Sequence, residues 1–335
     1  MNNTEQKDVI DNKSITIMVK IVGTACNMQC KYCYEHVVSN EHKGSEDFNS
    51  IKKYLSKYED YDHVFIVFHG GEPLLAKKEL MAELLEYIFL NFNRHCHVQI
   101  QTNGTLLDYE WIEIFEKYVP KLSLSISLDP KGKLDLRGSD KMEYRQVVVD
   151  NIKKFINRIE NIGIISVAHA YNVDDFIPFI LELQELGISS LTINKYQTEN
   201  FNSDYFISEK EYVDLLKRVF VEWISNRWYN IFNIQPLLAL FSNHPNKICT
   251  YLPDENKCSY FKTFYNEYDC SDLCDHISNK DLLKVEKKCL ACDVYAKCGG
   301  GCLAEKKDNS FCEARRELFD FIEEVKNGNL STVSK

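Results

Sequence analysis

Between about residue 16 and residue 215 the chain alternates between two textures of apolar and polar positions. The runs Ile15–Val22, His63–Phe68, His97–Gln101, Leu122–Leu128, Ile164–Ala170 and Ser190–Asn194 are rich in Val, Ile, Phe and Thr, the composition of strands. Between them, Phe48–Tyr58, Lys78–Phe92, Tyr109–Tyr118, Glu143–Ile159 and Val173–Leu186 repeat apolar residues three and four apart, as in Leu80, Leu84 and Ile88. Strands that alternate with helices predict a parallel sheet with right-handed crossovers. Six such units are too few to close an eight-stranded barrel. The expected fold is therefore α/β, a partial (β/α)6 TIM-like barrel. Residues 208–243 read as helical and aromatic-rich, with Phe220, Trp223, Trp228 and Phe232. From Cys249 to Cys312 the periodicity lapses and nine cysteines fall in short segments. Such a stretch buries little apolar surface, so metal would have to organise it. A last helix is expected over Glu313–Val325. The expected organisation is a polar tail (1–14), the barrel (15–215), a helical bridge (216–245), a small cysteine-rich domain (246–315) and a C-terminal helix and tail (316–335).

Composition narrows the class without changing the fold. Of 335 residues, 44% are hydrophobic and 27% charged, an ordinary globular balance. The net charge of −10 argues against a nucleic-acid partner, which favours a basic face. No apolar run approaches the ~18 residues of a membrane span, and the longest, Leu84–Phe92, is broken by Glu86 and Asn91. The opening MNNTEQKDVIDNK lacks the apolar centre of a secretory signal. A cytoplasmic setting follows, with no membrane partner. In a reducing compartment thirteen cysteines are ligands or reagents sooner than disulfides.

Three of them, Cys26, Cys30 and Cys33, stand in GTACNMQCKYCYE directly after the first strand. Three thiolates on one short loop suit three irons of a [4Fe–4S] cube and leave the fourth iron open to a ligand. A zinc site would want a fourth protein ligand, and the next cysteine is Cys96. Gly70–Pro73 follow the second strand, Thr102–Gly104 the third and Asp129 the fourth. All of these fall at C-terminal strand ends, where parallel α/β folds keep their chemistry.

The CxxxCxYC loop resembles the signature of the radical S-adenosylmethionine (SAM) superfamily. The resemblance implies that the open iron chelates SAM and that reductive cleavage gives a 5′-deoxyadenosyl radical. His69-Gly70-Gly71-Glu72-Pro73 then resembles the family's motif for the SAM amino group, Gly70 and Gly71 permitting close backbone approach and Glu72 accepting from the ammonium. Ser125-Ile-Ser-Leu-Asp129 resembles the SxSLD strand end, with Ser127 reaching the SAM ribose or carboxylate. Arg137 matches an arginine used on the SAM carboxylate; read locally, it is a solvated charge. Thr102-Asn103-Gly104 also matches a family loop, and read locally is an Asn-Gly turn.

The C-terminal array, Cys289-x2-Cys292-x5-Cys298-x3-Cys302 and then Cys312, resembles the SPASM extension of peptide-modifying members. Carried over by position, Cys249, Cys258, Cys274 and Cys302 would bind auxiliary cluster I, and Cys289, Cys292, Cys298 and Cys312 auxiliary cluster II. Asp269 stands where the family pattern has glycine, and Cys270 is an alternative ligand to Cys274 or Cys249. Cys96 reads as a structural thiol. A zinc ribbon is the competing reading of the array. The implied cofactors are three [4Fe–4S] clusters and SAM.

The resemblance points to oxidative modification of a ribosomally made peptide, such as a C–C or thioether cross-link, with an auxiliary cluster taking the second electron. The alternative is an anaerobic sulfatase-maturing enzyme that converts Cys or Ser to formylglycine. Cys274-Asp275 resembles that group's dipeptide, in which Asp275 would be the base, although His276-Ile277 depart from its aromatic pattern. A non-catalytic zinc-binding interaction protein is the reading from another class. Some fourteen residues precede the first strand, too few for a winged-helix leader-binding domain. Recognition of the peptide or protein substrate therefore falls to the barrel mouth, to 196–245, or to a separate leader-peptide-binding protein. A low-potential electron donor of flavodoxin or ferredoxin type is the other implied partner.

Overall fold

The structure is a computed structural model, and it describes residues 14–33, 35, 47–92, 95–138, 144–159, 161–196, 203–228, 232–235, 237, 261–264, 269–270, 289, 291–298 and 309–327. Strand β1 (Ser14–Val19) is followed by α1 (Phe48–Leu55), β2 (His63–Phe68), α2 (Lys78–Asn91), β3 (Cys96–Thr102), α3 (Tyr109–Phe115) and β4 (Leu122–Ser127). Next come α4 (Tyr144–Phe155), β5 (Ile162–Ala168), α5 (Phe176–Glu185), β6 (Ser190–Lys195) and α6 (Glu209–Ser225). The remaining elements are β7 (Asn233–Gln235), β8 (Phe261–Phe264), β9 (Asp269–Cys270), α7 (Tyr295–Cys298) and α8 (Asn309–Lys326).

The strands form one sheet in the order β7-β6-β5-β4-β3-β2-β1-β8-β9. Every neighbouring pair from β7 to β8 is parallel, and β8–β9 is antiparallel. Sequential parallel neighbours joined by helices are the partial barrel that the pattern predicts. In β3 and β5 burial alternates strictly. Val98, Ile100, Ile162 and Ile164 join the core with α2, α3 and α4 through Leu84, Ile112 and Ile152. The intervening positions, among them His97, Gln99 and Gln101, are half-buried on the opposite face of the sheet. A period of two thus sorts apolar residues under the helices and polar ones toward the face that a barrel turns inward.

Caps fix the helix entries. The Asp108 carboxylate accepts from Trp111 N at 2.9 Å, and Ser208 and Glu211 form a reciprocal capping box at α6. α8 packs on α6 through Phe220 and Phe321, whose rings lie 6.4 Å apart, and through the Lys217–Glu317 ion pair.

The far end of the chain differs from the expectation. Residues 216–245 read as a helical bridge, but α6 ends at Ser225 and β7 lengthens the sheet beside β6. The cysteine-rich stretch supplies β8, which pairs with β1 from Thr16↔Phe261 to Val19↔Phe264. Strands of two to four residues are too short to leave a periodic signal. α8 begins at Asn309, ahead of the expected Glu313, so Cys312 lies on the helix. Cys96 opens β3 and is buried, which pushes its thiol up to about 12.

Candidate active site at the C-terminal ends of the strands

β1 leads through the turn Gly23 N–H→Lys20 O (2.9 Å) into the loop of Cys26, Cys30 and Cys33. Beneath this loop Lys20 and Glu35 form a buried ion pair at 2.7 Å, with His69 Nδ1 3.9 Å from the same carboxylate oxygen. His69 Nδ1 accepts the Gly70 N–H at 2.6 Å. Burial and the neighbouring Lys20 lower its pKa against the pull of Glu35, to about 4, so the ring is neutral.

The two glycines after β2 pack closely against the cysteine loop. Gly71 N donates to Gly23 O at 2.7 Å and Glu72 N to Ala25 O at 2.8 Å. A Cβ on Gly71 would stand 1.9 Å from Ala25 O, and one on Gly70, whose φ is +112°, would stand 2.4 Å from Gly23 O. The close approach is therefore to the backbone of the cysteine loop itself, and the Gly70–Glu72 amides are spent inside the protein. Glu72 is likewise engaged within the protein. Its carboxylate is fully buried and accepts from Leu74 N (3.0 Å), Thr102 Oγ1 (2.7 Å) and Asn103 N (2.6 Å). Burial raises its pKa to about 7 against those three bonds. It fastens the β2 end to the β3 end. Asn103 continues the chain of contacts through Asn27 Oδ1 at 2.8 Å. The Asn-Gly turn at 103–104 thus also braces the cysteine loop.

Two N–H groups approach the Cys26 thiol. Met28 N donates to Cys26 Sγ at 3.4 Å, and Asn103 Nδ2 lies 3.9 Å from the same sulfur. Lys31 N bonds Leu136 O at 2.8 Å, so the loop after β4 is stitched to the cysteine loop. Burial pushes the Cys26 thiol up to about 11 and raises that of Cys30. A metal would have to draw off those protons, and N–H donors aimed at sulfur stabilise the thiolates it leaves. Among the described residues no group of three His, Cys, Asp or Glu side chains is gathered around a single ion. The soft donors on this loop fit an iron–sulfur cluster, which spreads its ligands over several irons.

Asp129, two residues beyond the β4 end, is the hub of the opposite wall. Its Oδ1 accepts from Val167 N (2.9 Å) and Ser166 Oγ (3.1 Å), which lie on β5. Its Oδ2 accepts from the Tyr32 hydroxyl, between Cys30 and Cys33, and from Arg137 Nε at 3.3 Å. Arg137 is no solvated charge: its side chain is 8% exposed, and the guanidinium lies 5.3 Å from the Tyr32 ring centre. His169, just past β5, lies 5.9 Å from that ring. Burial and Arg137 lower its pKa to about 4, with Asp129 opposing. Ser127 stands half-buried at the end of β4. The sequence reading missed Tyr32 and His169 and gave Asp129 no role. The signals available were the aromatic residue of CxYC and the final Asp of SxSLD, but their pairing spans 97 residues and only folding reveals it.

In the C-terminal array, Cys292 N bonds Cys289 O at 3.0 Å, and Cys298 N bonds Val294 O at 2.8 Å. Arg316, one turn beyond Cys312 on α8, donates to Cys292 Sγ at 3.4 Å and pairs with Asp293 at 2.7 Å. Cys249, Cys258, Cys274, Cys302 and Asp275 lie outside the described residues, as does the glycine run 299–301. Among the described residues no helix is long and apolar enough to cross a membrane.

With this geometry in place, comparison with known proteins is informative. The family model "Radical SAM superfamily" matches residues 20–194. A cysteine-type anaerobic sulfatase-maturating enzyme of Clostridium novyi is 23% identical over 362 aligned positions, covering 92% of this chain and 95% of that one. Among solved structures, "Native anSMEcpe with bound AdoMet and Cp18Cys peptide" superposes with a TM-score of 0.72 at 18% identity, covering 94% of this chain and 99% of the other. Streptococcus suis SuiB bound to its precursor peptide SuiA gives 0.59 at 16% identity, covering 90% and 75%. At these identities the structural likenesses establish the fold alone.

Proposed function

The chain belongs to the radical SAM superfamily, and from that premise we propose that it oxidises a cysteine or serine side chain of a peptide or protein substrate to an aldehyde, as a sulfatase-maturating enzyme. The family implies a [4Fe–4S] cluster and SAM. The observation that carries the specific reading is the end-to-end match to a cysteine-type sulfatase-maturating enzyme, which covers nearly the whole of both chains. It moves the formylglycine reaction ahead of peptide cross-linking, the reading favoured by the cysteine array alone.

When bound, the cluster and SAM supply a 5′-deoxyadenosyl radical that removes a hydrogen atom from the substrate. The residues of this chain bind and orient. Cys26, Cys30 and Cys33 would hold three irons. A SAM ammonium needs acceptors, and the Gly70–Glu72 amides are already spent, so the carbonyls of Gly70 and Gly71 are the groups to offer. Arg137 gives its Nε to Asp129 and would turn its remaining N–H groups to the SAM carboxylate, while Ser127 would meet the ribose or carboxylate. Asp129 keeps Arg137 and Tyr32 in register with the cysteine loop.

After that hydrogen atom leaves, the two-electron oxidation still releases one electron and one proton; serine then gives the aldehyde directly, and cysteine gives a thioaldehyde that water hydrolyses to the aldehyde with release of hydrogen sulfide. Auxiliary cluster I on Cys249, Cys258, Cys274 and Cys302, and auxiliary cluster II on Cys289, Cys292, Cys298 and Cys312, would give that electron an exit. Asp275 would take the proton. A flavodoxin- or ferredoxin-type protein would deliver the first electron.

The test is anaerobic incubation of the reconstituted enzyme with SAM, a low-potential reductant and a cysteine-containing sulfatase peptide. The expected outcome is an aldehyde captured by a hydrazide probe, formed in step with 5′-deoxyadenosine. A linkage within a ribosomal peptide, with no aldehyde from any sulfatase peptide, would return the cross-linking reading and with it a role for a leader-binding partner.

A further inference from the structure

Arg316 stands on α8, one turn beyond Cys312, and the spacing of four puts both residues on one face of the helix. Its guanidinium crosses from there to the cysteine array with an arm on each of two partners. Nη1 lies 2.7 Å from Asp293 Oδ1 and 2.8 Å from Oδ2, and Nη2 donates to Cys292 Sγ at 3.4 Å. Elsewhere α8 is tied to the barrel. The adjacent Glu317 pairs with Lys217 on α6, and the Phe321 ring lies 6.4 Å from that of Phe220. The helix therefore presents the arginine to the array from a fixed base.

That placement answers an electrostatic need. The Cys292 thiol stands 3.8 Å from Asp293 Oδ1, to which it donates. A metal that takes the thiol's proton removes this contact and leaves a thiolate beside a carboxylate. Two anions so close repel unless a cation touches both. A guanidinium is suited to the task, because its planar fork serves two acceptors at once, whereas an ammonium is a single point charge. Its bond to sulfur also strengthens when the thiol, a weak acceptor, becomes a thiolate. Cys292 and Cys312, which the family resemblance assigns to one auxiliary cluster, are linked by this side chain: Arg316 touches the first and shares a helix face with the second.

We propose that Arg316 is a positioning residue for auxiliary cluster II, donating to the Cys292 thiolate and stabilising the reduced cluster, a role that rests on Cys292 being a ligand of that cluster. A donor on a ligand sulfur, with a positive charge beside it, spreads the extra negative charge of the reduced state and moves the potential upward. The electron that the oxidation releases then finds a more favourable exit. Without the arginine the cluster is harder to reduce.

The experiment compares Arg316→Met, which keeps the stem and removes the charge and the donors, with Arg316→Lys, which keeps the charge without the fork. Each reconstituted holoenzyme is titrated electrochemically and followed by electron paramagnetic resonance. Low ionic strength is used, because the Arg316 side chain is 45% exposed and salt screens it. Cys292→Ser marks the signal to watch, the one it alters or abolishes. We expect Arg316→Met to move the midpoint of that signal to a more negative value, with the other signals and the iron content unchanged. Arg316→Lys should move it less, in the same direction. An unchanged or less negative midpoint overturns the proposal, as does an equal shift of every signal. An arginine that only pairs with Asp293 would lower the thermal midpoint and leave the potential alone. Should Arg316→Met lose its iron, the lysine variant decides by the same criteria. If Cys292→Ser leaves every signal and the iron content as they were, Cys292 is not a cluster ligand; the cluster reading itself then fails, and the arginine's role with it.

Discussion

Asp129 and Arg137 form an ion pair in the candidate site whose two side chains are both under a tenth exposed, at 7% and 8%. Asp129→Asn keeps the shape and still offers Oδ1 to Val167 N and Ser166 Oγ. It removes the charge and turns an N–H toward Arg137 Nε, so a buried guanidinium loses its counterion. Breaking a buried pair by removing one partner costs about 3–5 kcal/mol. The retained bonds to β5 place Asp129→Asn near the low end, at about 3 kcal/mol. Arg137→Met in that background removes the stranded charge and should restore much of the loss. The double-mutant cycle should therefore give a coupling of about 2 kcal/mol, against the ~0.2–1 kcal/mol of an exposed pair. Urea unfolding followed by tryptophan fluorescence reads this out cleanly, because the chain's three tryptophans, Trp111, Trp223 and Trp228, are all buried in the barrel core. A coupling within ~0.5 kcal/mol of zero would refute the reasoning and make the hub incidental to the fold.

Three further outcomes follow from the geometry. Gly71→Ala forces a methyl to within 1.9 Å of Ala25 O; overpacking of this kind costs ~1–3 kcal/mol, and iron retained at the Cys26–Cys33 loop should fall with the urea midpoint, while retention at wild-type level would contradict the contact. His169 has its pKa lowered to about 4 from an ordinary 6.5, so it contributes stability that is complete above pH 6.5 and is lost as pH falls toward 4. The loss on full protonation is about 3 kcal/mol, and His169→Phe should flatten that part of a pH series of urea midpoints. Cys30→Ala should abolish 5′-deoxyadenosine formation while leaving the auxiliary iron in place, as total iron and product chromatography would show.

The barrel was legible because its signals are local and repeated. Leu80, Leu84 and Ile88 declare a helix by spacing alone, and the alternation through His97 and Gln99 declares a strand. Three soft ligands in eight residues also stand out by spacing alone, and the cluster proposed for them rests on that spacing. The bonds of Glu72 were not legible because a carboxylate beside two glycines can accept from a ligand or from its own protein with equal chemistry, and only the fold places Leu74, Thr102 and Asn103 around it. Arg137 and Asp129 lie eight residues apart, and nothing in that spacing says whether the arginine turns to water or inward. β7 and β8 were missed because pairing with a distant strand, rather than pattern, makes a four-residue segment a strand.

The pairing of β8 with β1 has a consequence for how the enzyme comes off the ribosome. Until the stretch 261–264 has emerged, the strand that leads into the cysteine loop has a raw outer edge, open to any other extended chain. A nascent or truncated product that stops short of it should be sticky and dependent on chaperones, however complete its catalytic motifs. Expression trials that trim the cysteine-rich end to obtain a simpler barrel would then be removing the piece that closes the sheet.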